Sequence, residues 1–133
     1  MSTFYEDNMN IKKINGFTLQ QVSRDVWAID EFGIDIMYLI IGTERALLID
    51  TGIGIGNIRS VVETMTHLPY DVVNTHHHYD HVGGAEKLRD YFECPVMMPE
   101  QDAFVYRQPV DRLLADGDEI DLDGETLRVY HTP

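Results

Sequence analysis

Four histidines and an aspartate fall within six consecutive positions, His76-His77-His78-Tyr79-Asp80-His81. Imidazole nitrogens and carboxylate oxygens are the donors that zinc and similar divalent metals take at neutral pH. A solvated surface does not gather so many of them in so short a run. The stretch therefore reads as a metal site, with metal-assisted hydrolysis as the leading chemistry. In an extended segment alternate side chains point the same way, so His76 and His78 can converge on one metal while His77 faces elsewhere. Asp80 and His81 follow where the chain turns and can reach a second metal. Two metals held this close can share a hydroxide that is available as a nucleophile at pH 7.

The elements around the run must hold it in place. Phe17 to Val22 and Val26 to Ile29 read as strands joined at Ser23-Arg24-Asp25. Ile36 to Ile41 and Ala46 to Ile49 are apolar and β-rich, joined by the turn Gly42-Thr43-Glu44-Arg45. Ile58, Val61, Val62 and Met65 recur at helical spacing and predict a helix over Asn57 to Leu68, stopped by Pro69. Asp71 to Thr75 reads as a buried strand running into the histidines. A helix over Val82 to Phe92, a strand over Pro95 to Met98 and a helix over Glu100 to Arg107 follow. A hairpin pairs Glu119 to Leu122 with Thr126 to Tyr130 around Asp123-Gly124. Strands alternating with helices predict an α/β layered domain with its sheet covered on at least one side.

Composition narrows the partners. The chain has 133 residues, one domain's worth, and carries 10 Lys and Arg against 23 Asp and Glu, a formal charge of −13. That average field repels nucleic acid and anionic membranes, so neither is expected as a partner, and a small-molecule substrate is. Cys94 is the single cysteine, which excludes an intrachain disulfide and fits a reducing compartment. It reads as a small core residue. No segment has the apolar length of a membrane span and the first residues lack a secretory pattern, so a cytoplasmic location is expected. The acidic run Asp116 to Glu125 alternates with Ile120 and Leu122 as a strand does, without the ligand spacing of an EF-hand.

His76-x-His78-x-Asp80-His81 resembles the signature of the metallo-β-lactamase superfamily. Leu48-Ile49-Asp50-Thr51-Gly52 is similar to that family's strand ending in an Asp-Thr-Gly turn near the metals. Val82-Gly83-Gly84 resembles the helix entry after its histidines. Asp116-Gly117-Asp118 and His131-Thr132-Pro133 resemble its later hairpin and the start of its His-Thr-Pro-Gly-His segment. The resemblance runs from about Phe17 to Pro133, in the family's order. It implies an αββα sandwich, represented by its N-terminal half (residues 17–133) after a loose lead (residues 1–16). It also implies one or two Zn2+ ions, other divalent metals being possible. His76 and His78 would bind the first metal, and Asp80 and His81 the second. Asp80 would also orient the attacking water as the catalytic carboxylate, with Asp50 supporting the ligands from behind. The implied reaction is hydrolysis of an ester, thioester, lactone or β-lactam, the pattern being most similar to glyoxalase II-like hydrolases.

The family's remaining ligands follow the His-Thr-Pro-Gly stretch, beyond Pro133. Two protein ligands per metal is fewer than the three a catalytic zinc keeps. The chain alone is therefore expected to bind metal weakly and turn over little. Half a sandwich leaves a sheet face uncovered, which favours self-association. One alternative is a non-catalytic fragment, or one completed by a partner chain. Another is a di-iron oxidoreductase similar to flavodiiron proteins, although those carry Glu where this chain has His78. His131 is the first histidine of its stretch and not a ligand. His67 is expected to cap a helix dipole. Gly52-x-Gly54-x-Gly56 lacks phosphate-loop spacing and reads as a tight turn under the metal site.

Overall fold

The computed structural model describes residues 10–54, 56–76 and 79–131, with only the backbone at Tyr79, Asp80 and Phe92. The strands are β1 (Ile11–Ile14), β2 (Phe17–Ser23), β3 (Val26–Glu31), β4 (Asp35–Ile41), β5 (Ala46–Ile49), β6 (Tyr70–Val73), β7 (Val96–Pro99), β8 (Arg112–Leu114), β9 (Glu119–Leu122) and β10 (Glu125–Arg128). The helices are α1 (Ile58–Met65), α2 (Tyr79–Val82), α3 (Ala85–Phe92) and α4 (Glu100–Tyr106). The first eight strands form one sheet in chain order, and β9 and β10 form a separate two-stranded sheet. Neighbours from β1 to β5 pair antiparallel, and those from β5 to β8 pair parallel. The switch follows the connections: short turns join the first five strands, whereas helices carry the chain back to start the later ones.

The alternation of side chains along each strand sorts the two faces. Phe17, Leu19, Ile29, Met37, Leu39, Leu48 and Val72 point to one face and are fully buried there. They pack against Ile58, Val61 and Val62 of α1 and Leu88 of α3. On the other face Leu47, Val73, Met97 and Leu114 are covered by Ile120 and Leu122 of the β9–β10 hairpin. The hairpin cluster reaches Ile40 at the end of β4, whereas Ile36 and Tyr38 on the same face stay 52% and 40% exposed.

The structure departs from the sequence reading in five places. Residues 11–14, inside the expected loose lead, form β1, because Asn15 and Gly16 at positive φ make the tight turn a hairpin with β2 needs. Strand β8 was not expected. The helix of Val82 to Phe92 is two helices, interrupted at Gly83-Gly84. Helix α1 ends at Met65 because Thr66 is extended, so His67 lies past the cap and does not serve the helix dipole. Strand β6 ends at Val73, before the histidines rather than among them. Cys94 is buried as expected, and burial pushes its thiol up, away from reactivity.

The hairpin is fastened to the main sheet by Asp123. Its Oδ2 accepts hydrogen bonds from the N–H of Glu44 (2.8 Å) and of Arg45 (3.0 Å), in the turn between β4 and β5. Gly42 permits this approach, because a Cβ there would run into the Asp123 carboxylate and the Arg45 carbonyl. The backbone donors, with the Arg45 charge, hold the Asp123 carboxyl below the ordinary value of 3.8. A lowered folded-state pKa contributes stability above the ordinary value, and that contribution is lost as pH falls through the lowered one. Asp123→Ala is accordingly expected to lower the thermal midpoint at pH 7. Its gap to wild type should close below about pH 4 in a series of melts. A gap independent of pH would show that the carboxylate charge plays no part in the clamp.

Candidate metal centre

Parallel strands β5 and β6 end side by side, and the site is built where they end. Asp50 follows β5 with φ 65, in the left-handed region that Asp enters more readily than most residues. That turn sends its side chain inward, where it is 5% exposed. Oδ1 accepts from the Thr75 N–H (2.8 Å), and Oδ2 lies 2.8 Å from Thr75 Oγ1 and 2.9 Å from His81 Nδ1. A buried carboxylate needs such donors to offset its desolvation. Here they come from the two ends of the histidine run.

These contacts fix where ring protons sit. A carboxylate only accepts, so the single Thr75 hydroxyl proton goes to Asp50. Thr75 Oγ1 is also 2.9 Å from His76 Nδ1. With its proton committed, the hydroxyl must accept there, so His76 carries a proton on Nδ1. His81 likewise holds its Nδ1 proton against Asp50. Both rings therefore present Nε2 as the atom that would meet a metal, and carboxylate-backed imidazoles of this kind are good ligands. The two rings lie 3.9 Å apart between centroids, close enough to serve one or two neighbouring ions.

The main chain is held as firmly as the side chains. The His81 carbonyl accepts from the Thr51 N–H (2.8 Å), the Thr51 hydroxyl (3.0 Å) and Asn74 Nδ2 (2.8 Å). Asn74 is fully buried, and among the described residues its Oδ1 has no hydrogen-bond partner, an unsatisfied acceptor beside the histidine run. Gly83 donates to the Gly52 carbonyl (2.7 Å), and Gly84 donates to Thr51 Oγ1 (3.1 Å). A Cβ at Gly83 would collide with the Ile53 carbonyl, and one at Gly54 would lie 2.7 Å from the Gly83 oxygen. Gly52 and Gly54 have φ 74 and 93, so the tight turn expected under the site is present. A cavity of about 390 Å3 opens beside His76, lined also by Gln101, Asp102, Asp116, Tyr130 and His131.

Of the expected ligands, His76 and His81 come together, and Asp50 backs both, directly for His81 and through Thr75 for His76. His76 lies in a bend after β6, so strand alternation does not explain its direction. Asp80 belongs to α2, one residue before His81, and its side chain is outside the described atoms. His77 and His78 lie outside the described residues. Among the described residues no group of three or more His, Cys, Asp or Glu side chains is arranged to hold an ion. The donors that are described fit a divalent metal, being two imidazoles with oriented rings. Thr51, Asn74 and Thr75 were missed from the sequence. Their signal was position alone: Thr51 in the turn after β5, Asn74 and Thr75 just ahead of the first ligand.

Comparison with known proteins bears on the family and the fold. A family model described as the metallo-beta-lactamase superfamily matches residues 36–133. An uncharacterized protein of Mycobacterium tuberculosis (strain ATCC 25618 / H37Rv) is 32% identical over 115 residues, covering 69% of this chain and 51% of that protein. The hydroxyacylglutathione hydrolase of Wigglesworthia glossinidia brevipalpis is 30% identical over 90 residues, covering 68% of this chain and 34% of that enzyme. A class B3 di-zinc metallo-beta-lactamase from an Alaskan soil metagenome superposes with a TM-score of 0.74 at 22% identity, over 85% of this chain and 51% of that one. The chain spans about half the length of the mycobacterial relative, and about a third of the hydrolase.

Asp50→Asn tests the carboxylate at the centre. The amide can keep the Thr75 N–H bond, but its NH2 then faces two donors. A loss of about 2 kcal/mol in urea unfolding is expected for a buried charged acceptor. The nitrogen-15 shifts of His81 should move away from those of an Nδ1–H ring. An unchanged His81 spectrum would show that Asp50 does not set its tautomer.

Proposed function

The chain belongs to the metallo-beta-lactamase superfamily, and from that premise we propose that it carries the metal-binding part of a metal-dependent hydrolase. His76, His78, Asp80 and His81 are the proposed ligands, with zinc as the metal and one or two ions per site. The observation that carries the reading is the pair of imidazoles at 3.9 Å, with Asp50 behind His81 and, through Thr75, behind His76. A bound divalent ion supplies Lewis acidity and makes water a nucleophile at neutral pH.

The chain's own groups do the rest. Asp50 holds the His81 ring and, through Thr75, the His76 ring with Nε2 facing the ligand side. Its negative charge balances part of the charge of an ion. Thr51 and Asn74 hold the His81 backbone, and with it the short helix that carries Asp80. Asp80 is proposed to orient the attacking water. The substrate proposed is a small ester or thioester, with lactones and β-lactams as related acyl compounds. The thioester is preferred because relatives at 30% and 38% identity are named hydroxyacylglutathione hydrolases. Among the described residues no helix is long and apolar enough to cross a membrane, and the cytoplasm is the proposed location.

Elemental analysis of freshly purified chain tests the reading. Zinc is expected to bind weakly, at up to about two ions per chain, because the proposed ligands supply only two groups to each metal. His78→Ala and Asp80→Ala should each retain markedly less after dialysis, with folding unchanged by circular dichroism. With a thioester substrate, any turnover should fall about 100-fold or more in Asp80→Ala. Zinc content unchanged by both substitutions would sink the proposed ligand set.

A further inference from the structure

Glu31 ends β3, and its side chain is 1% exposed, the most deeply buried carboxylate among the described residues. The alternation Trp27, Ile29, Glu31 puts it on the face that packs against α1 and α3, where an apolar residue is the rule. The reason lies in the glycine turn above it. Glu31 Oε1 accepts from the Ile53 N–H (2.8 Å), and Oε2 is 3.4 Å from the Gly56 N–H. The turn has closed down on this carboxylate: a Cβ at Gly52 would collide with Oε1 and lie 2.9 Å from Cδ. On its other side the same turn touches Gly83. Gly52 accepts the Gly83 N–H, and Gly54 and Ile53 press on the Gly83 backbone. Gly83 is two residues after His81.

We infer that Glu31 is a positioning residue for the metal site: by holding the Ile53 and Gly56 amides it sets the height of the turn on which Gly83, α2 and therefore His81 rest. This rests on the proposed metal role of His81. Glu31 is distant from the ligands in sequence, and among the described residues its hydrogen bonds go to Ile53 and Gly56 and not to His76 or His81. It acts only through backbone: the Gly83 N–H is bonded to the Gly52 carbonyl, and neither Gly54 nor Gly83 has room for a Cβ. An apolar residue at position 31 would bury as well, but it would leave the Ile53 N–H without its acceptor.

Cobalt(II) binding by the full chain tests this, with Glu31→Gln as the variant. The amide keeps one acceptor for Ile53 and sets its NH2 against the Gly56 N–H, so the fold survives while the turn shifts. Val61→Ala in α1, a core change away from the turn, controls for general loss of stability. The expected result is cobalt affinity lowered about tenfold in Glu31→Gln, with an altered visible d–d spectrum. Val61→Ala should keep the wild-type affinity and spectrum. In metal-free protein, Glu31→Gln should shift the amide resonances of Gly83, Gly84 and His81 as well as those of Ile53 and Gly56. Wild-type cobalt affinity in Glu31→Gln overturns the inference and leaves the metal reading standing. So do amide shifts that stop at Gly56. A wild-type chain that binds no cobalt overturns both.

Discussion

A negative charge with almost no water around it needs donors, and that requirement organises this molecule. Asp50 sits at the end of β5 with its side chain turned into the protein. Three donors meet it: the Thr75 amide, the Thr75 hydroxyl and the His81 ring. Satisfying one carboxylate therefore ties Thr75 and His81 to the end of β5. It also decides which nitrogen each of two imidazoles turns outward. The metal chemistry proposed for this chain depends on that arrangement being present before any ion arrives. A ligand set that must be ordered by the ion itself gives up part of its binding free energy to ordering.

The carboxylate could not act alone, since side chains hold only as well as the backbone beneath them. The Thr51 and Asn74 donors converge on the His81 carbonyl, and the glycine turn lies against Gly83 with no room for a Cβ. Two segments about thirty residues apart in sequence are packed at backbone contact distance. Glycine allows this where any side chain would force the segments apart. The glycines here serve close approach as much as turning, and their spacing differs from that of phosphate loops for that reason.

Much of this was legible in the sequence. The donor cluster, the Asp-Thr-Gly turn and the amphipathic pattern of Ile58, Val61, Val62 and Met65 were visible because each is local. The family resemblance that they carried is matched by residues 36–133. What escaped was non-local or was masked by composition. β1 is polar enough to look like a tail, yet Asn15-Gly16 encodes its hairpin. Gly83-Gly84 looked like a tolerable helix start until the turn from Gly52 pressed against it. His76 looked like a strand residue, but β6 stops at Val73, and the next amide but one, Thr75, turns to donate to the Asp50 carboxylate. Thr75 looked like a strand ending, and nothing local says that its one proton must serve Asp50. Glu31 could have been suspected from the period-two pattern of β3, which puts a charge where Trp27 and Ile29 are buried.

In the eight-stranded sheet each strand lies beside the one made just before it. The order of the sheet is thus the order of synthesis. Every new strand finds its partner already in place, and no earlier pairing has to open to admit it. Short-range closures of this kind are the quickest to form. Glu31, at the end of β3, and Asp50, just after β5, are delivered before the histidines. By the time the ligands leave the ribosome, the groups that orient them have already been made.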